Sequence, residues 1–297
     1  MNEAGNLDLD ALEDRKKKEI EHTERRRSVV SGYEYFTDTS KNSEQLKYVA
    51  NEEEYLANFS NMKYYSISRS SFAYRDSLLY SNIDNKVALD YCCGSGEICI
   101  EMVKNGAKKV YGIDISDVAT NNSKVLAQEA GVGDSCTFEV MDAEHLTYDD
   151  NTFDVIHEYG ALHHLELEAA LRETSRVLKP GGSFICTEAL RHNPITHWYR
   201  SRTVNGSTWM GRTVYLRTKY EFEHILGVPE IMLGKKYFEN VSIRFFHLFA
   251  LAAVPFRKTF FFPFLLSLLE GLDNIVLRIP YIQRLAWVGV IEYKNPI

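Results

Sequence analysis

Short apolar runs of strand length recur through the middle of the chain, and amphipathic stretches at helical spacing separate them. Val87-Ala-Leu-Asp90 leads into a turn at Gly94-Ser-Gly96, after which Glu97 to Val103 resumes an apolar pattern of helical period. Lys109-Val-Tyr-Gly-Ile-Asp114 is a second run ending in an acid, and a third, short one closes at Val140-Met-Asp142. A fourth lies in Asn151-Thr-Phe-Asp-Val-Ile-His-Glu158. After one helix comes a fifth, Arg176-Val-Leu-Lys-Pro-Gly-Gly182-Ser-Phe-Ile-Cys-Thr-Glu188. Strands alternating with helices predict an α/β fold with a mostly parallel sheet.

The chemistry sits where those strands end. Glycines between a strand and a helix let backbone approach a ligand closely. Asp114 follows Gly94 by 20 residues and Gly96 by 18, the interval at which a βαβ unit sets a carboxylate beside a ribose. Asp142, after the next strand, is placed to accept from an adenine amino edge. A Gly-x-Gly alone equally marks an ordinary tight turn, and it is the ordered acids that turn it into a nucleoside site. A dinucleotide such as NAD is the rival ligand, but Cys99 stands where its third glycine is expected. No Gly-x4-Gly-Lys-Ser/Thr pattern is present, which argues against phosphate transfer.

In these residues the chain resembles the class I S-adenosylmethionine-dependent methyltransferases of the small-molecule type. The first motif of that family resembles Asp90-Tyr-Cys92-Cys-Gly94-Ser-Gly96, with Cys92 standing in for the first of three glycines. Its ribose acid falls on Asp114, next to Ile115, its adenine acid on Asp142, next to Ala143, and Glu158 is expected to touch the cofactor. The resemblance spans roughly residues 85 to 190. It implies a doubly wound, mostly parallel seven-stranded sheet of Rossmann-like type, with segments 240–250 and 286–294 as the antiparallel closing strands. It implies S-adenosylmethionine as cofactor and a small or amphipathic molecule as methyl acceptor, at a hydroxyl. An NAD-linked oxidoreductase and a non-catalytic methyltransferase-like interaction protein are the alternatives, the latter drawing on the irregular Cys92.

A sulfonium methyl is already electrophilic, so the protein has to align the acceptor, exclude water and, for a hydroxyl, remove a proton. His163 and His164 follow the fourth strand and Glu188 ends the fifth, and adjacent strand ends of an open α/β sheet share a crevice. A histidine held by a carboxylate is the candidate base. The competing reading makes one histidine the cap of the next helix and the other a packed residue.

Three segments organise the chain: residues 1–84, a helical extension with a cofactor-covering part; 85–190, the cofactor core; and 191–297, a lid insertion, closing strands and an apolar helical insertion. The formal net charge of −7 hides an asymmetry. Residues 1–190 carry 20 Lys+Arg against 34 Asp+Glu, and residues 191–297 carry 14 against 7. The basic tail suits an anionic or lipid-like acceptor or a membrane surface, or else an ordinary solvated face. Residues 8–30 are densely charged, but the eight acids and seven bases of residues 1–30 leave no uncompensated positive charge for nucleic acid. A solvated helix with pairs such as Glu21 and Arg25 is expected there.

Tyr64 and Tyr65 are placed to stack near the cofactor or to pack an N-terminal helix. Residues 191–239 read as a substrate lid. From Ala250 to Gln283 the chain is very apolar, but Pro255, Arg257-Lys258 and Pro263 break it below the ~20 residues a membrane span needs. Packed helices or peripheral lipid contact through 245–284 remain. The five cysteines suit reduced thiols in a cytoplasmic protein, their spacing gives no metal-binding set, and the N-terminus has no secretory apolar core.

Overall fold

A computed structural model of the chain describes residues 13–28, 62–81, 83–194, 196 and 225–297. Seven strands form one sheet: β1 (Val87–Tyr91), β2 (Lys109–Asp114), β3 (Cys136–Val140), β4 (Phe153–Tyr159), β5 (Leu178–Ala189), β6 (Phe238–Phe246) and β7 (Val288–Pro296). Their spatial order is β3-β2-β1-β4-β5-β7-β6. β1 to β5 pair in parallel, while β7 runs antiparallel to both β5 and β6, as expected for the closing strands. The order reverses direction at β1 and β4, which makes their carboxyl ends the switch point where ligands bind in such sheets.

Period-two alternation sends successive strand residues to opposite faces, and each face has its own core. Leu89, Tyr91, Ile156, Phe184, Cys186 and Ile291 pack on one side with Ala170 and Leu171. Ala88, Val110, Val155, Ile185 and Val290 pack on the other with Leu79, Ile100, Met102 and Ala127. Both faces are therefore covered by helices, as a parallel sheet requires.

The helices are α1 (Asp14–Ser28), α2 (Arg69–Tyr80), α3 (Glu97–Lys104), α4 (Asp117–Glu129), α5 (Leu167–Val177) and α6 (Phe262–Val276), with shorter turns between. Local chemistry fixes their starts. Ser116 caps α4 by accepting from the Ala119 amide at 3.2 Å, and Glu166 caps α5 by accepting from the Ala169 amide at 2.8 Å. The cap of α5 is thus a glutamate and neither of the two histidines before it. Much of the segment read as a lid, residues 195 and 197–224, lies outside the described residues. No helix of the described residues is long and apolar enough to cross a membrane.

Candidate functional site

The turn after β1 is built on left-handed backbone. Cys92, Gly94 and Gly96 have φ of 59°, 59° and 79°. Glycine adopts this region freely, whereas a side chain there is strained. Cys92 therefore occupies, with a Cβ, the position whose geometry asks for glycine. At Gly96 space is also decisive, since a Cβ would come within 2.8 Å of Phe138 and Ser123.

Asp114, at the end of β2, pins the turn. Its Oδ2 accepts from the Gly94 amide at 3.0 Å and its Oδ1 from the Ser116 amide at 3.0 Å. The Ser123 hydroxyl donates to the Gly94 carbonyl at 3.1 Å, so α4 also holds the turn. Ile115 follows Asp114 and is half-buried. Asp90 is engaged differently. Its Oδ1 lies 2.7 Å from His157 Nδ1 in β4, and the Cys99 thiol approaches Oδ2 at 3.5 Å. Both Asp90 and His157 are buried, so Asp90 shapes the turn through the sheet.

The missing third glycine has a structural answer. Cys99 of α3 packs against Gly112 of β2, where a Cβ would fall 2.9 Å from the Cys99 sulfur. The close approach of helix to strand is supplied from the strand side.

At the end of β4, Glu158 is fully buried. Its Oε1 accepts from the Ala161 amide and, at 3.3 Å, from Leu162, while its Oε2 has no hydrogen-bond partner among the described residues. Burial, reinforced by the neighbouring charge of Glu188, holds its carboxyl well above the usual carboxylate range. Glu188, near the end of β5, accepts from the Leu162 amide at 2.7 Å, and its Oε2 lies 2.8 Å from His163 Nδ1. Burial pushes the Glu188 carboxyl up to about 7. Two acids and a histidine thus meet at adjacent strand ends.

His164 is parted from that group in its hydrogen bonding, although its ring lies 4.1 Å from that of His163, tilted by 38°. Its Nδ1 lies 3.3 Å from Glu19, and its carbonyl accepts from Arg15, both on α1. The charged helix expected to be solvated is in fact docked over the strand ends, with Lys16 and Ile20 buried. Lys16 Nζ lies 2.6 Å from Asp142 and 2.7 Å from Glu144, and Arg15 reaches Glu144 at 2.5 Å. Asp142 also accepts from the Glu144 amide at 3.0 Å, and the Lys16 ammonium helps hold both acids below their ordinary range against the cost of burial. Ala143 lies buried beside Asp142, and its carbonyl accepts from the Tyr91 hydroxyl.

Tyr64 packs on Trp287 with ring centroids 5.1 Å apart. Tyr65 instead faces Tyr159 at 6.2 Å, at the end of β4, which puts it on the side of the site. Lys16, Glu144, His157 and Gly112 carried no signal in the sequence. Their roles arise from contacts across the fold, such as the 126 residues between Lys16 and Asp142.

Residues 89–186 match a family model described as a methyltransferase domain. The chain is 39% identical over 95 residues to the 27-O-demethylrifamycin SV methyltransferase of Amycolatopsis mediterranei, covering 32% of this chain and 35% of that protein. It is 34% identical over 109 residues to the ubiquinone/menaquinone biosynthesis C-methyltransferase of Bartonella quintana, covering 36% of this chain and 42% of that one. The chain thus matches less than half the length of either relative. In fold, it is similar to geranyl diphosphate C-methyltransferase from Streptomyces coelicolor A3(2), with a TM-score of 0.55 at 12% identity over 96% of this chain and 99% of that one. Residues 89–186, which run from β1 into β5 and include the glycine turn, thus match a methyltransferase domain, set in a seven-stranded sheet whose fold is similar to that of a methyltransferase of known structure.

Proposed function

We propose that the protein transfers a methyl group from S-adenosylmethionine to a hydroxyl of a small, amphipathic acceptor. The residues fit the cofactor. The turn presents left-handed backbone to a ligand, Asp114 sets its carboxylate against that turn, and Glu158 Oε2 is a buried polar atom without a partner among the described residues. Asp142 would face the adenine, with Ile115 and Ala143 flanking it. The bound cofactor supplies an electrophilic methyl group.

The observation that carries the hydroxyl assignment is the 2.8 Å contact between His163 Nδ1 and Glu188 Oε2. With Nδ1 engaged by the carboxylate, Nε2 is the ring atom that takes a proton from the acceptor. A hydroxyl is a poor nucleophile until its proton is drawn away, so a paired histidine at this place suits O-methylation. The relatives are named for 27-O-demethylrifamycin SV and for ubiquinone/menaquinone biosynthesis, which supports a small acceptor with an apolar body.

Incubation with labelled S-adenosylmethionine and a panel of amphipathic phenols, alcohols and carbon nucleophiles tests this reading. Label is expected in an ether-linked product from a hydroxyl acceptor, with S-adenosylhomocysteine inhibiting. Transfer confined to carbon or nitrogen would overturn the hydroxyl assignment.

A further inference from the structure

Helix α6 is amphipathic in the reverse sense. Its inward face carries both acids of the stretch from 250 to 285, Glu270 and Asp273, alongside Phe262 and Leu266. Each acid has a fixed structural task. Arg69 Nε donates to Glu270 at 2.8 Å, and Asp273 accepts from the amides of Phe249 and Ala250 at 2.7 and 3.1 Å. These bonds clasp α6 and the turn Ala250–Phe256 onto α2, around a small core of Ile67, Ala253, Phe262 and Leu266.

The outward face is apolar. Phe264, Leu268, Leu272 and Ile275 recur at three- and four-residue intervals and form one stripe along the helix, roughly opposite the buried face. Phe264 is 75% and Ile275 69% exposed. Phe260 before the helix is 96% exposed and Tyr281 after it 77%. The exposed charged side chains in this stretch, Lys258, Arg278 and Arg284, are all basic, and half-buried Arg257 adds a fourth cation beside Lys258. An apolar stripe of this extent exceeds the scattered surface hydrophobics of a soluble protein.

We propose that α6 and its flanking turns are a docking surface for an anionic lipid bilayer, with the helix lying in the interface plane. The charge pattern selects this occupant. A second copy of the chain would set four cations against four cations, whereas anionic headgroups complement them while the acyl boundary takes up the aromatic stripe. At 15 residues α6 is too short to span, since a crossing needs ~20 apolar residues. The docked face also joins the site: Tyr64 packs against the small core under α6, and its neighbour Tyr65 reaches Tyr159 at the end of β4.

Co-sedimentation of the full chain with vesicles of phosphatidylcholine, alone or with about 30% phosphatidylglycerol, tests the surface. Binding is expected to the anionic vesicles and to weaken as salt rises. Two double variants are compared, Phe264→Ser with Leu268→Ser, and Lys258→Glu with Arg278→Glu, with circular dichroism to verify folding. Each is expected to lower vesicle binding by about 10-fold or more while retaining the native spectrum. Absence of wild-type binding to anionic vesicles overturns the proposal. So does unchanged binding in both folded variants, or a dimer by light scattering that Phe264→Ser with Leu268→Ser converts to monomer.

Discussion

Lys16 Nζ stands 2.6 Å from Asp142 Oδ2, closing helix α1 over the acid proposed to face the adenine. Both partners are largely buried, and Glu144 shares the ammonium at 2.7 Å. Losing one partner of a buried pair leaves the other charge uncompensated unless the helix lifts and water returns. Lys16→Ala and Asp142→Asn are therefore each expected to release α1, with amide exchange in residues 14–28 accelerating by about 10-fold or more. The double variant should add little to either single one, because both break the same contact. Unchanged protection in Lys16→Ala would show that the ion pair does not hold the helix.

Cys92 at φ 59° gives a second expectation. Left-handed backbone costs a non-glycine residue about 1–2 kcal/mol, partly offset by the greater chain entropy that glycine loses on folding. Cys92→Gly should raise stability by about 0.5–1 kcal/mol in chemical denaturation. A loss of stability would mean that the Cys92 side chain contributes packing that outweighs the strain.

The two histidines should separate by experiment. His163 is bonded to Glu188 and His164 to α1. His163→Ala is expected to lower turnover on the order of 10²-fold, with cofactor affinity nearly unchanged. His164→Ala should instead speed amide exchange in α1. Turnover unaffected by His163→Ala would remove the general base and leave alignment of the acceptor as the source of rate.

Burial on α3 raises the Glu101 carboxyl from an ordinary 4.5 to about 7, with the Tyr80 hydroxyl donating to it at 3.0 Å. The folded state holds this proton more tightly than the unfolded chain. The resulting stability is fully present below pH 4.5 and is lost as pH rises through 7. Glu101→Gln keeps the acceptor for Tyr80 without the charge. Its stability relative to wild type should climb between these two values, by up to about 3 kcal/mol, and then level off. A pH-independent difference in denaturation midpoint would contradict the assignment.

How much of this was legible in the sequence depends on the distance over which each feature acts. The strands of the cofactor half could be read because each combines an apolar run with an acid or glycine at its end, a pattern contained within a few residues. Asp114 was legible because a βαβ unit fixes its distance from Gly94. The docking of α1 was not, since Arg15, Lys16 and Glu19 find their partners only after the chain has folded back on itself. Their local sequence is that of any solvated, charged helix. The inverted face of α6 was hidden for a related reason. Composition showed the stretch to be apolar, but not that Glu270 and Asp273 turn inward while Phe264 and Leu268 face out.

Asp114 joins the glycine turn to the proposed ribose position, so cofactor binding is the most direct test of the site. Isothermal titration of the full chain with S-adenosylmethionine is expected to show saturable binding, with no comparable heat from NAD. Asp114→Ala should weaken it by about 1–3 kcal/mol, the usual cost of losing charge-assisted hydrogen bonds. Absence of saturable binding to the folded wild-type protein, or an affinity unchanged by Asp114→Ala, would contradict the site described here.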